Sequence, residues 1–133
     1  MDQGPLVAEQ IDAGALLARD FDRYKPVRAA FWLKQNEDSF WYLYIASDQI
    51  DGSNVDLAYG EVIRLVGEMN NPNFDPFRVK VIRADDPIAQ SVLEIQAAYP
   101  AAKVAIRRNH VWVGRMLADE LYIYPLPNLV PGV

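Results

Sequence analysis

The stretch that decides the fold is VRAAFWLKQNEDSFWYLYIAS, residues 27–47. From 27 to 33 every second residue is apolar (Val27, Ala29, Phe31, Leu33), with Arg28, Trp32 and Lys34 among those between and beyond them. From 41 to 45 the alternate set is Trp41, Leu43 and Ile45, with Phe40, Tyr42 and Tyr44 on the other parity. Period-two alternation rich in aromatic and β-branched residues is a strand signal, because successive side chains point to opposite faces. The segment therefore reads as two strands folded over the polar turn at 36–38. A three-residue loop that pairs Gln35 with Ser39 puts the two purely apolar sets on one face. A four-residue loop puts Phe40, Tyr42 and Tyr44 there instead. Burial of one clean apolar face usually fixes register, so the expectation is the three-residue loop.

Upstream, residues 8–24 show a helical stripe of Ile11, Ala15, Ala18 and Phe21, ended by Lys25-Pro26. Downstream, SDQIDGSN is a polar turn in which Ser53 or Asn54 is suited to cap a helix. That helix, 55–69, carries Val55, Ala58, Val62, Leu65, Val66 and Met69 on one face, and Asn70-Asn71-Pro72 stops it. Residues 77–83 alternate Phe77, Val79 and Val81 against Arg78, Lys80 and Ile82, which predicts a third strand. Asp85-Asp86-Pro87 opens a helix with an acid at the cap and proline in the first turn. Its stripe is Ile88, Val92, Ile95 and Tyr99. The last third predicts three short strands at 103–107, 111–114 and 121–124, then a proline-rich, apolar tail at 125–133 expected to dock rather than wave.

Strand–helix–strand–helix–strand implies two parallel crossover units. A parallel sheet covered on both faces shows continuous apolar runs, whereas the third strand alternates cleanly. The expected fold is thus α+β: a two-layer sandwich with a mixed sheet of about five to six strands and two to three helices packed mainly on one face. The chain of 133 residues is one domain's worth, with a short lead at 1–7. A chain near that size buries roughly 68–70% of its unfolded surface.

Composition narrows the chemistry. There is no cysteine, so disulfides, thiolate metal sites and cysteine nucleophiles are excluded. The opening MDQGPLVAEQ has neither a basic region nor an apolar run, and nothing approaches about 18 consecutive apolar residues. A cytoplasmic protein without membrane attachment is expected. A net charge of −5 argues against wholesale electrostatic binding to nucleic acid.

Charge is nevertheless uneven. None of the 18 acidic residues falls in an expected strand, while Arg28, Lys34, Arg78, Lys80, Arg83, Lys103 and Arg107 do. With the three-residue loop, all of these cations except Arg83 share a face with Trp32, Phe40, Tyr42, Tyr44, Tyr122 and Tyr124. Such a face can simply be cations lying over exposed rings, each pair contributing up to about 1 kcal/mol. It can also be an interaction site, since contiguous rings with Arg and Trp are what interfaces use. The candidate partner-binding residues are Trp32, Tyr42, Tyr44, Arg78, Lys80 and Tyr122, serving a homodimer or a docked protein. Single-stranded nucleic acid stacked on an open sheet is a third use of the same surface.

The competing reading is enzymatic. Ligands gather outside the carboxyl ends of parallel strands. Those ends would bring together Asp48 and Asp51, Asp85 and Asp86, and Arg107, Arg108 and the sole histidine, His110. Carboxylates to hold Mg²⁺, cations for developing charge and a proton carrier are the parts of a metal-dependent phosphodiester hydrolase. Each acid also has a plain structural job, Asp86 as a helix cap and Asp48 and Asp51 in turns. No glycine-rich phosphate loop, nucleophile elbow or paired histidines are present. The sequence therefore favours a non-catalytic interaction module without metal or cofactor.

Overall fold

The computed structural model describes residues 6–36, 40–99 and 104–125. The tip of the first hairpin, Lys103 and the tail beyond 125 lie outside the described residues. The elements are α1 (Ala8–Tyr24), β1 (Ala29–Lys34), β2 (Trp41–Ser47), α2 (Val55–Met69), a 3-10 turn (Pro76–Arg78), β3 (Val79–Arg83), α3 (Pro87–Ala97), β4 (Ile106–Val113) and β5 (Met116–Ile123). They build an α+β sandwich on one mixed sheet of order β3-β2-β1-β5-β4, in which β2–β3 is parallel and the other pairs are antiparallel. Among the described residues no helix is long and apolar enough to cross a membrane.

Local chemistry explains the boundaries. Lys25 leaves α1 in an extended conformation ahead of Pro26. Asn70 ends α2 in the left-handed region at φ 51°, a conformation asparagine tolerates better than most residues. Asp86 caps α3 by accepting a hydrogen bond from Ile88 N at 2.8 Å, with Pro87 in the first turn.

The two helices α1 and α2 cover one face of the sheet. Leu17, Phe21, Ala58 and Val62 pack there against Ala30, Trp32, Leu43, Ile45, Val79 and Val81. The opposite face is partly covered by α3, whose Ala89 and Val92 meet Phe31, Leu33, Ala118, Leu121 and Ile123. All six residues of β1 are consequently buried.

That double coverage overturns the expected hairpin register. Lys34 lies opposite Trp41 and Phe31 opposite Tyr44, so the register is the one expected of the four-residue loop. The expectation assumed that a single face is buried. With apolar layers on both sides of β1, either parity of β2 finds an apolar environment. The selected register stacks Phe31 on Tyr44, ring centroids 5.1 Å apart and planes 2° from parallel.

Four further expectations change. Phe77 sits in the 3-10 turn and is 78% exposed, so the third strand begins at Val79. The last third is a β4–β5 hairpin around Gly114, which takes φ 65°, rather than three short strands. Asp119 and Glu120 lie within β5, so the strands are not free of acids. Finally, α3 leads across the sheet to the far edge, where β4 runs antiparallel to β5, so the second parallel crossover does not exist.

The two sheet edges differ. At β3 the Val79 N–H is taken by Pro76 O, and the Val81 N–H is taken by the Tyr59 hydroxyl at 3.0 Å. Donors satisfied within the chain blunt an edge against strand addition. At β4, by contrast, the outer edge has no strand or loop partner among the described residues.

Candidate functional site

The register separates the expected partner-binding set. Trp32 is 2% exposed beneath the α1–α2 layer, and Tyr122 opposite it belongs to that same layer. Tyr42, Tyr44 and Lys80 project from the other face. The single aromatic and basic surface over Trp32, Tyr42, Tyr44, Arg78, Lys80 and Tyr122 is therefore corrected to a smaller one.

What remains is a concavity of about 290 Å³ on the half of the sheet that α3 leaves uncovered, lined by Leu33, Gln35, Phe40, Tyr42, Tyr44 and Lys80. Its floor is built by the hairpin: Leu33 lies opposite Tyr42, and Phe31 backs Tyr44. Phe40 forms a wall and is 43% exposed. Lys80, paired with Tyr44 across the parallel ladder, is exposed and holds its ammonium 4.9 Å from the Tyr42 ring centroid. Among the described residues no carboxylate lies within ion-pair distance of Lys80. Arg78 approaches from the 3-10 turn with its guanidinium 3.2 Å from the Phe40 centroid, its Nε 3.5 Å from Asp75. Its Nη1 is buried without a hydrogen-bond partner, so the ring face is its compensation for lost water. Burial pushes the Tyr44 phenol above its ordinary value, with the Asp86 charge adding to the effect. From sequence Phe40 falls on the aromatic face but outside the candidate binding set, and Leu33 and Gln35 are not among the expected site residues; the register of the four-residue loop is the signal that joins Leu33 to Phe40, Tyr42 and Tyr44.

The alternative set divides as well. Asp48 pairs with Arg28 at 2.9 Å, Asp85 with Arg83 at 2.8 Å, and Asp86 caps α3. Asp51 accepts hydrogen bonds from the Ser53 backbone and hydroxyl, which hold its carboxyl below the usual range. The Arg83 guanidinium lowers Asp85 in the same way. These four carboxylates gather at the ends of β2 and β3. Arg107, Arg108 and His110 do not join them, because they lie within β4 at the opposite edge of the sheet. The convergence expected from three parallel strands is corrected by the antiparallel course of β4. Among the described residues no group of three or more His, Asp or Glu side chains is placed to hold a metal ion.

Comparison with protein families, curated proteins and solved structures finds no match to this chain.

Proposed function

We propose that this protein is a non-catalytic docking module that receives a protein partner on the uncovered half of its sheet, at Phe40, Tyr42, Arg78 and Lys80. The carrying observation is Lys80: an exposed ammonium over an aromatic ring, beside a ring-lined concavity, with no carboxylate within ion-pair distance among the described residues in a chain that has 18 acids. Such a site suits a partner side chain pair, one apolar and one carboxylate. The apolar part displaces water from Leu33 and Phe40, and the carboxylate meets the ammonium at the rim. Rings and cations at a rim set register and encounter rate more than raw affinity.

A second copy of this chain is a poorer occupant. A two-fold interface on this face would bring the Lys80 and Arg78 cations of both copies into one patch, and like charges brought together across an interface are costly. The expected solution state is therefore a monomer with respect to this face.

The test uses 3-phenylpropanoate as a minimal apolar carboxylate, followed by amide and side-chain NMR. Shifts confined to residues 33–35, 40–44 and 78–80, weakened at least fivefold by Lys80→Ala and by the neutral 3-phenylpropanamide, are expected. Equal binding of acid and amide overturns the role of Lys80. Shifts elsewhere overturn the location. A dimer by light scattering that dissociates in Phe40→Ala/Tyr42→Ala would make the occupant a second copy. Binding of oligodeoxythymidine at the same residues, with log affinity falling about 0.7 per phosphate contacted against log salt, would make it a single strand.

A further inference from the structure

The β4 edge carries a different recognition surface. Arg107 lies over the Tyr122 ring at 4.8 Å, on the face covered by α1 and α2. Arg108 lies over Tyr99, which follows α3, at 5.3 Å, and its Nη2 donates to the Tyr99 hydroxyl at 3.0 Å. Neither guanidinium has a carboxylate within ion-pair distance among the described residues. The two thus straddle the outer edge of β4, one above it and one below. Further along, Trp112 is 64% exposed and pairs across the hairpin with Leu117, 47% exposed.

His110 divides the strand. It takes φ 51°, and the alternation is interrupted there: Ile106 and Val111, of opposite parity, both pack against the α3-side cluster. Pairing with β5 continues in the same register on both sides, but the regular side-chain alternation before the break spans residues 106–109, with Trp112 beyond it.

Charges on an edge strand commonly keep copies apart. Here two β4 edges set side by side would gather four guanidiniums along one short seam, so self-pairing is disfavoured. An acidic strand meets the opposite situation. Successive residues of an added strand point to opposite faces, so two adjacent carboxylates would reach Arg107 on one side and Arg108 on the other. Strand addition of this kind takes affinity from main-chain hydrogen bonds and specificity from alternate side chains.

We propose that the outer edge of β4 accepts a sixth strand from a partner protein, an extended segment with two adjacent acidic residues and an apolar residue two positions beyond them, the acids read by Arg107 and Arg108 and the apolar side chain lying toward the exposed Trp112. The backbone of residues 106–109 supplies the ladder. The cost to the protein is displacement of the hydrogen bond from Arg108 Nη1 to Arg107 O, 2.9 Å long in the free edge.

The probe is the hexapeptide acetyl-Val-Thr-Glu-Glu-Thr-Val-amide, nearly palindromic so that either strand direction presents the same groups. Titration is followed by Trp112 fluorescence and by hydrogen exchange of the β4 amides. The expected result is slowed exchange in 106–109, at least tenfold weaker binding after Glu→Gln in the peptide, and loss of binding when alternate peptide amides are N-methylated. Arg107→Gln/Arg108→Gln should weaken binding at least tenfold while the fold, read by circular dichroism, is unchanged. Equal binding of the N-methylated peptide overturns strand addition, and equal binding of the Gln peptide overturns charge readout. No binding at millimolar peptide overturns the proposal outright. Shifts at Phe40 and Lys80 with none in β4 would overturn it too, leaving the sheet-face reading intact.

Discussion

The Trp32 indole N–H donates to the Tyr124 hydroxyl at 2.8 Å, tying β1 to the residue just past β5. The same hydroxyl donates to Ile11 O of α1 at 2.5 Å, so one phenol joins both strands to the helix that covers them. Tyr124→Phe leaves the buried indole N–H without a partner, and an orphaned buried donor costs about 1–3 kcal/mol. Urea unfolding should show a lower midpoint with an unchanged slope, the mark of lost stability without altered compactness. A midpoint unaltered within error would mean that water replaces the phenol.

Gly14 is the helix's accommodation of that contact. A Cβ at Gly14 would collide with the Tyr124 hydroxyl and stand 3.0 Å from Trp32 Nε1. Gly14→Ala should therefore destabilise, although alanine gains about 1 kcal/mol of helix propensity over glycine. Gly60 and Gly67 of α2 have open space where a Cβ would go. Gly60→Ala and Gly67→Ala should each raise stability by roughly 0.5–1 kcal/mol. Thermal melts of the three variants give opposite signs if steric contact, rather than helix preference, governs Gly14.

How far the sequence could lead is visible in particular residues. The bounds of α1 and α2 were legible because Pro26 and Asn70-Asn71-Pro72 act through local sterics, whatever the rest of the chain does. The α3 start was legible for the same reason, through Asp86 and Pro87. The hairpin register was not. It depends on whether a second layer covers the far face, and the arrival of α3 over Phe31 and Leu33 is a long-range event. Because one step of register exchanges every side chain between faces, that single unknown moved Trp32 away from Tyr42 and Lys80. The cations over rings were foreseen as a tendency. Which ring each one takes, Arg78 on Phe40 and Arg107 on Tyr122, is set by the tertiary pairing alone.

Alkaline pH should weaken the fold through its buried phenols. Burial raises Tyr124 far above the ordinary value near 10, outweighing the opposing donation from Trp32, and burial also raises Tyr44 and Tyr122. The folded state thus binds the phenolic proton more tightly than the unfolded chain. The sign follows: this contribution is fully present below about pH 10 and falls as pH climbs toward the folded-state value, by at most about 1.4 kcal/mol per pH unit per tyrosine. Urea midpoints at pH 9, 10 and 11 should decline, and Tyr124→Phe should decline less steeply than the wild type. Parallel declines would assign the effect to other groups, lysines foremost.

The carboxylates at the ends of β2 and β3 divide by what each one does, and a substitution series should resolve the division. Asp86 holds the first turn of α3 through Ile88 N, so Asp86→Ala should cost about 1 kcal/mol, the usual value of an N-cap side chain. Asp48 and Asp85 make exposed pairs with Arg28 and Arg83, an arrangement that solvent screens. Asp48→Asn and Asp85→Asn should leave the melting temperature unchanged. Magnesium bears on the same residues, because a cation held by these acids stabilises the folded state by mass action. Millimolar Mg²⁺ is expected to leave the wild-type melting temperature where it was. A rise that disappears in Asp48→Asn/Asp85→Asn would place a metal among these carboxylates and put the hydrolase reading ahead of the docking one.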